Sequence, residues 1–353
     1  MSTKLCFVLP RFVKSQSGGY KMVYEYANRL QKRGFQVSIL YLNEFALLRY
    51  HFPEKVRRFI INLMTDRGPE WFELDNRIKK ISTCRESYID EITDVDVAVF
   101  TAAETVSYSD KFRSSKKIYF IQDYENWKIT DEAVKKTYGL GFSNIVVAQW
   151  LKNIVDNYST IPSVLIKNPV NQNVYHPIIP IDIRCAHSVS LNYRSEDYKG
   201  FRYSFQAVQI LLKKYPDLQV YIFGTEKRPK WFPHCFKYTR YASQKQTVAI
   251  YNNTAIFICG TVEEGYGLTG LEAMACGTAL VSTDYLGVHE YAENGVNALL
   301  SPVRDSVALA ENAIRLIEDQ RLRVKIAKSG VDSVIQAFDW KVAVDKFEEV
   351  IQN

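Results

Sequence analysis

Two glutamates, Glu264 and Glu272, stand eight positions apart within Gly260–Ala279, and a glycine-rich turn, Gly265-Tyr266-Gly267-Leu268-Thr269-Gly270, lies between them. The apolar run from Ala255 to Cys259 reads as a strand before the turn. Good helix formers, Leu271-Glu272-Ala273-Met274-Ala275, follow it, and Gly277 marks their stop. A strand, a glycine turn and a helix start make an anion site, because free backbone N–H groups and the positive end of the helix dipole point into the turn. Glycines let the backbone approach a ligand closely, since no Cβ intervenes. With one carboxylate before the turn and one in the first helical turn, the pair can flank a ligand with phosphates in its middle and hydroxyl-bearing sugars at both ends. A nucleotide-sugar has that layout. The same residues also fit a structural reading. Thr269-Gly270-Leu271-Glu272 matches S/T-x-x-E, a capping box in which Glu272 satisfies backbone donors, and Glu264 is then a solvated loop acid.

Other candidates follow strands. Ser188 to Tyr193 reads as a strand with Arg194 and then Lys199-Gly200 after it. Arginine grips a diphosphate with a planar fork and lysine as a point charge; the alternative is two solvated basic residues. Lys116 to Ile121 is a strand ending in Gln122-Asp123, and ligands in open α/β sheets bind beyond strand carboxyl ends. Asp123 is therefore a candidate to orient sugar hydroxyls or accept a proton from an acceptor, set against a turn acid. Gly18-Gly19 opens a helix after the first strand, Leu5 to Leu9, without the G-x-G-x-x-G of a nicotinamide site. Asp94-Val95-Asp96 has the D-x-D form of a metal-diphosphate motif but runs straight into the apolar Val97 to Phe100; no metal site is expected.

The central string closely resembles the E-x7-E signature of retaining glycosyltransferases of family four, carried here by Glu264-Gly265-Tyr266-Gly267-Leu268 and Glu272-Ala273-Met274-Ala275-Cys276-Gly277-Thr278. The resemblance implies a GT-B fold, two Rossmann-like domains facing a central cleft. It further implies transfer of a hexose or deoxyhexose from a nucleoside diphosphate sugar to a hydroxyl of a glycan or lipid-linked acceptor in cell-surface polysaccharide synthesis, with retention of configuration. In that family the first glutamate contacts the donor sugar, the second holds the ribose, and amides of the turn hold the diphosphate. Carried over, Glu264, Asp123, Arg194 and Lys199 are the catalytic candidates. Gly18, Gly19, Gly224, Tyr241, Gly267, Leu268, Thr269, Gly270, Leu271 and Glu272 are the donor-binding ones. Gly224 and Tyr241 lie where such folds contact the base through backbone. Many members carry a histidine where this chain has Gln122-Asp123, a departure similar to a bacterial rhamnosyltransferase-like branch, which points to dTDP-rhamnose. No cofactor and no metal is implied. Alternatives on the same cleft are a nucleotide-sugar epimerase or a phosphorylase. Another is a non-catalytic basic protein binding nucleic acid or lipid head groups.

The elements that must position these residues alternate as strand and helix through both halves of the chain. The 353 residues suggest two domains, and 47% hydrophobic residues suffice for two cores. The proline-punctuated passage around Asn168-Pro169 and Pro177 to Pro180 marks the boundary. We expect an acceptor-side domain over 1–170, a nucleotide-sugar domain over 171–337, and a C-terminal helix, 338–353, packing back on the first. The net charge of +6 falls short of a nucleic-acid footprint and suits an anionic small molecule or a lipid surface. Residues 43 to 85 join His51, Lys55, Arg57 and Arg58 to the apolar Phe59-Ile60-Ile61, a pattern either of core with a solvated face or of peripheral contact with an anionic membrane. The apolar run at the start is too short for a secretory signal, and no stretch of about 18 apolar residues occurs, so a cytoplasmic protein is expected. Six cysteines without C-x-x-C spacing read as reduced core residues.

Overall fold

The computed structural model describes residues 2–44, 52–126 and 129–353; His51 lies outside them. The chain divides into two compact units, Met1–Lys167 with Val344–Asn353, and Asn168–Ala343. The divides thus fall at 167/168 and 343/344, a few residues from the expected 170/171 and 337/338. Each unit is built on a wholly parallel sheet.

In the first unit β1 (Lys4–Leu9), β2 (Gln36–Tyr41), β3 (Lys79–Ser82), β4 (Val97–Phe100), β5 (Lys116–Ile121), β6 (Ser143–Val146) and β7 (Val164–Leu165) pair in the order β3-β2-β1-β4-β5-β6-β7. Strands covered on both faces read as continuous apolar runs, and Leu5 to Leu9 and Val97 to Phe100 are buried throughout. Helix Gly18–Lys32 joins β1 to β2. It buries Val23, Tyr26, Ala27 and Leu30 at helical spacing and ends on Arg29 and Lys32, which suit the negative end of its dipole. Chain order reverses between β1 and β4, the switch point at which such sheets take ligands.

The second unit repeats the plan. Strands β8 (Ser188–Tyr193), β9 (Gln219–Gly224), β10 (Lys237–Arg240), β11 (Ile256–Cys259), β12 (Ala279–Thr283) and β13 (Ala298–Ser301) pair in the order β10-β9-β8-β11-β12-β13, with the switch point between β8 and β11. Its helices are capped by the residues the rules favour. Asp305 accepts the N–H groups of Val307 and Ala308 at 3.1 and 2.9 Å to start Ser306–Glu318. Ser243 and Gln246 form a reciprocal capping box on Gln244–Asn253.

Several sequence expectations shift. The strand expected at Val146–Ala148 lies at Ser143–Val146, because Ala148 is already the N-cap of helix Gln149–Val155. The helix expected from Phe205 starts at Phe201, directly after Gly200. Edge strands β3 and β10 carry no such signal, because their short basic sequences, KKIS and KYTR, lack the apolar run of a central strand. The Asp94 and Asp96 carboxylates hold Lys4, one at its ammonium and one at its N–H (2.8 Å), at the amino end of β1 and opposite the ligand edge. Cys6, Cys84 and Cys276 are buried, but Cys185 and Cys235 are exposed, so not all six belong to the core.

Helix Trp340–Gln352 contributes its second part to the first unit. Phe347 is fully buried there, its ring 4.6 Å from that of Tyr26 and 5.7 Å from that of Phe120, while Arg33 bonds Asp345 (2.6 Å) and Glu348 (2.8 Å). Cavity formation outweighs a partly exposed ion pair. Phe347→Ala should therefore cost about 3–5 kcal/mol of stability and Arg33→Ala about 1 kcal/mol or less. Urea denaturation checks the ranking, and equal losses would show that the ion pairs, not the aromatic cluster, hold the helix.

Candidate functional site

Four neighbouring strands of the second sheet deliver the sequence-predicted residues to one edge. Arg194 and Lys199 follow β8, Gly224 ends β9, Tyr241 follows β10, and Glu264 to Glu272 follow β11. All therefore lie at strand carboxyl ends around the switch point, where helix starts supply positive potential.

Backbone packing sets the spacing at the centre. The loops after β8 and β11 cross so closely that a Cβ on Gly200 would lie 1.9 Å from the Gly260 carbonyl oxygen, and one on Gly260 would lie 2.7 Å from Ser204 N. Gly200 adopts φ +61° as it opens helix Phe201–Lys214. The Tyr198 carbonyl accepts the N–H groups of Val262 (2.9 Å) and Glu263 (3.1 Å). With the loops stitched in this way, Lys199 Nζ meets Glu264 Oε1 at 3.0 Å. Arg194 forks onto Glu196 (Nη2–Oε1 2.8 Å, Nε–Oε2 3.2 Å); that bond raises the arginine pKa and lowers the Glu196 carboxyl below its usual range. The Glu226 carboxylate accepts the Ser195 N–H at 2.7 Å.

The turn itself differs from its sequence reading. The helix runs Leu268–Ala275 with Gly267 as N-cap (φ +94°), so Thr269 is inside it and cannot cap it; the capping-box reading of Glu272 falls. Glu272 sits in the second turn, not the first, and is buried. Gly270 and Leu271 return their N–H groups to the Gly267 carbonyl (3.1 and 3.5 Å). The amides left without an acceptor among the described residues are those of Leu268 and Thr269, at the start of the helix.

The glycines serve packing more than ligand approach. A Cβ on Gly267 would lie 1.9 Å from Tyr285 Oη, and one on Gly270 would lie 2.5 Å from Tyr291 Oη. These two hydroxyls are buried, 2.8 Å apart, and Tyr291 donates to the Gly267 carbonyl at 2.9 Å; burial lifts both phenols well above their ordinary pKa. Neither tyrosine was singled out from sequence, because nothing in the string around them marks contact with a turn about twenty residues upstream. Gly224 is likewise filled in, since a Cβ would meet the Tyr193 carbonyl at 2.5 Å.

Arg184 holds the far end of the motif helix. Its guanidinium, almost wholly buried, donates to the carbonyls of Ile179, Tyr251, Thr254, Cys276 (2.8 Å) and Gly277 (3.0 Å) and to Asn252 Oδ1 (3.1 Å). Desolvation lowers its pKa to about 10. It thereby satisfies carbonyls past the ends of both Gln244–Asn253 and Leu268–Ala275, while Gly277 N and Thr278 N close the second helix onto Met274 and Ala273. An arginine just after the proline-punctuated passage carries no sequence signal for this role.

Tyr241 is half exposed with φ +52°, a left-handed conformation unusual for an aromatic residue. Its N–H donates to the Gly224 carbonyl (2.7 Å), and the Arg240 guanidinium lies 4.5 Å over its ring. An open cleft of roughly 630 Å³ lies farther along the sheet edge, lined by Asp284, His289, Glu293 and Ser301, and includes none of the predicted residues. In the first unit Gly18 and Gly19 start their helix beyond β1, and a Cβ on Gly19 would lie 3.4 Å from Gln122 Nε2, so the glycine pair neighbours Gln122. The Asp123 carboxylate accepts the Tyr124 N–H (2.8 Å), as a turn acid does. Glu125 caps the neighbouring segment at the Ala103 N–H.

Residues 189–319 match the family model described as Glycosyl transferases group 1. That segment is similar to glycosyl transferases group 1. Over 115 residues the chain is 29% identical to the N,N'-diacetylbacillosaminyl-diphospho-undecaprenol alpha-1,3-N-acetylgalactosaminyltransferase of Campylobacter jejuni, covering 31% of this chain and 30% of that one. The first curated relatives are matched over only 23–30% of their own length. Among solved structures, sucrose-phosphate synthase from Thermosynechococcus elongatus superposes with a TM-score of 0.76 at 14% identity, covering 99% of this chain and 98% of that one. Anabaena Alr3699/HepE in complex with UDP and glucose gives 0.75 at 15%, covering 99% of each. These likenesses give the fold: two Rossmann-like parallel-sheet domains of the GT-B type.

Within the matched segment, Gly267→Ala adds a steric conflict with the tyrosine pair to the cost of a left-handed φ. Gly295, at φ +78°, has open space where a Cβ would go. Gly295→Ala should thus cost about 1 kcal/mol and Gly267→Ala about 3 kcal/mol or more. Equal costs in thermal denaturation would remove the Tyr285–Tyr291 pair as the reason for glycine here.

Proposed function

We propose that the chain is a retaining glycosyltransferase that moves a hexose or deoxyhexose from a nucleoside diphosphate sugar to a hydroxyl of a glycan or lipid-linked acceptor. The observation that carries the reading is the Lys199–Glu264 pair, 3.0 Å apart, beside a helix start whose Leu268 and Thr269 amides have no acceptor among the described residues. A diphosphate seated there meets a cation, a helix dipole and two N–H donors, with Glu264 and Glu272 on either side of the turn.

In the reaction the bond between the anomeric carbon and the diphosphate oxygen breaks, and a bond from the acceptor oxygen to that carbon forms. Negative charge grows on the leaving diphosphate. Lys199, Arg194 and the two amides stabilise it more in the transition state than in the ground state, because they are already in place. Glu272, buried in the second helical turn, accepts hydrogen bonds from vicinal ribose hydroxyls, and Glu264 orients the donor sugar. Tyr241 and the Gly224 backbone receive the base. Of the first unit's residues, Gly18 and Gly19 contact the donor, and Asp123 orients sugar hydroxyls or accepts the proton of the acceptor. This charge set neutralises the diphosphate without a metal or cofactor. The matched Campylobacter relative is named for a diphospho-undecaprenol-linked acceptor and the Anabaena structure holds UDP and glucose, which support a lipid-linked acceptor and a nucleotide donor. The Gln122-Asp123 pair favours dTDP-rhamnose among donors.

Thermal-shift measurements with UDP, GDP, dTDP and ADP test the site. The matching nucleotide at 100 times its Kd should add about 2.7 kcal/mol of stability. Glu272→Ala should weaken that nucleotide by roughly 10- to 100-fold, the worth of charged hydrogen bonds at about 1.5–3 kcal/mol. Glu264→Ala should leave nucleotide binding largely intact and abolish transfer. Full turnover in both variants would remove the motif from the mechanism.

A further inference from the structure

The open cleft of roughly 630 Å³ in the second unit contains none of the residues placed at the donor turn. Its volume falls within the range of small-molecule sites, about 300–1,000 Å³. Asp284 and His289 reach it from the turn after β12, Glu293 and Asn294 from the turn before β13, and Ser301 from the end of β13. Both turns are fixed from outside the cleft. A Cβ on Gly287 would lie 2.6 Å from the Glu264 carbonyl oxygen, so the turn carrying His289 packs on the backbone beside that glutamate. The Asp284 N–H donates to the Ser301 carbonyl (2.8 Å). Asn297, buried, accepts the Glu293 N–H (2.7 Å) and donates to the Tyr291 carbonyl (3.1 Å) and to Ser333 (3.0 Å).

The internal bonds decide what remains for a ligand. Asn294 Oδ1 accepts the Leu300 N–H (3.0 Å), which leaves its amide nitrogen to donate. Ser301 Oγ accepts from Asn312 (2.9 Å), which leaves its O–H to donate. His289 Nε2 donates to Asp284 Oδ1 (2.7 Å), which leaves Asp284 Oδ2 to accept. The Glu293 carboxylate has no partner among the described residues. The cleft therefore offers donors and acceptors side by side. A hydroxyl both donates and accepts, so a polyol satisfies a mixed set that a bare ion cannot. The lining has two carboxylates and no lysine or arginine, which disfavours a phosphate. Ala292, Leu300 and Pro302 add an apolar patch for the C–H face of a ring. A metal ion fits less well: among the described residues, no three His, Cys, Asp or Glu side chains converge to hold one.

We propose that this cleft is a binding subsite for an uncharged saccharide, held by Asp284, Glu293, Asn294 and Ser301 and separate from the donor turn. That the saccharide is a stretch of the acceptor glycan rests on the function proposed above; binding at the cleft does not. The test is binding of the full chain, without nucleotide, to an array of uncharged and acidic oligosaccharides, with titration of those that bind. Uncharged oligosaccharides should bind and acidic ones should not. Glu293→Gln should lower the affinity about tenfold, and Asp284→Asn by a similar factor. The thermal shift produced by nucleotide should be the same in both variants as in the parent, so a failure of the cleft and a failure of the donor site read out separately. Both side chains are exposed and both replacements keep their shape, so the variants should melt as the parent does. If Asp284→Asn, which alters the bond to His289, melts early, Glu293→Gln decides. Binding of no uncharged oligosaccharide, binding of acidic ones alone, or affinity unchanged in Glu293→Gln overturns the proposal. Equal affinity for the matching free monosaccharide overturns the acceptor as its source. A thermal shift with calcium chloride or spermidine that both variants lose, without oligosaccharide binding, assigns the carboxylates to a cation and overturns it too.

Discussion

The second unit turns on a contact between two backbones. The loops after β8 and β11 approach until the Gly260 carbonyl occupies the space where Gly200 would carry a side chain. Side chains at either position would push the loops apart, and the Lys199–Glu264 pair, set at 3.0 Å by that approach, would open. A lysine and a glutamate 65 residues apart in sequence thus become neighbours through two residues that lack side chains. The pair is partly exposed, so its Coulomb attraction alone is worth little; the crossing backbones supply the geometry and the charges use it.

The motif helix is held from both ends by groups outside the motif. At its start, the Tyr285 and Tyr291 hydroxyls fill the space beside Gly267 and Gly270, and Tyr291 bonds the Gly267 carbonyl. At its finish, Arg184 collects the Cys276 and Gly277 carbonyls. An eight-residue helix is too short to be stable alone, so these contacts, with burial of Leu271, Ala273 and Met274, must hold it in place. The loss of solvation that lowers the Arg184 pKa is met by the many carbonyls it bonds. The same logic places Tyr241 in a strained conformation at the end of β10, where its N–H answers the Gly224 carbonyl.

The first unit uses its sheet in the same manner with weaker chemistry at the edge. Gly19 lies against Gln122, and Asp123 and Glu125 cap backbone N–H groups around the ends of β4 and β5. Its core is closed by Phe347 from the last helix, which meets Tyr26 and Phe120 edge and face.

Much of this architecture is legible in the chain. Central parallel strands are buried on both faces, so β1, β4, β5, β11 and β12 stand out as short apolar runs. Their alternation with amphipathic helices implies two doubly wound sheets. The E-x7-E string, its glycines and the basic residues after β8 are local signals, and they mark the carboxyl edge of the second sheet without coordinates. What the chain did not disclose depends on contacts between distant segments. The start of the motif helix moved to Leu268 because a tyrosine pair fixes Gly267 as its cap, which retired the Thr269 capping box and placed Glu272 in the second turn. The reason for glycine at 200, 224, 260, 267 and 270 is a carbonyl, a backbone amide or a hydroxyl delivered by another element. Arg184 shows no motif at all. Periodicity and composition are properties of neighbouring residues, whereas burial of a polar group and the room for a Cβ are decided only when segments far apart in sequence close on one another.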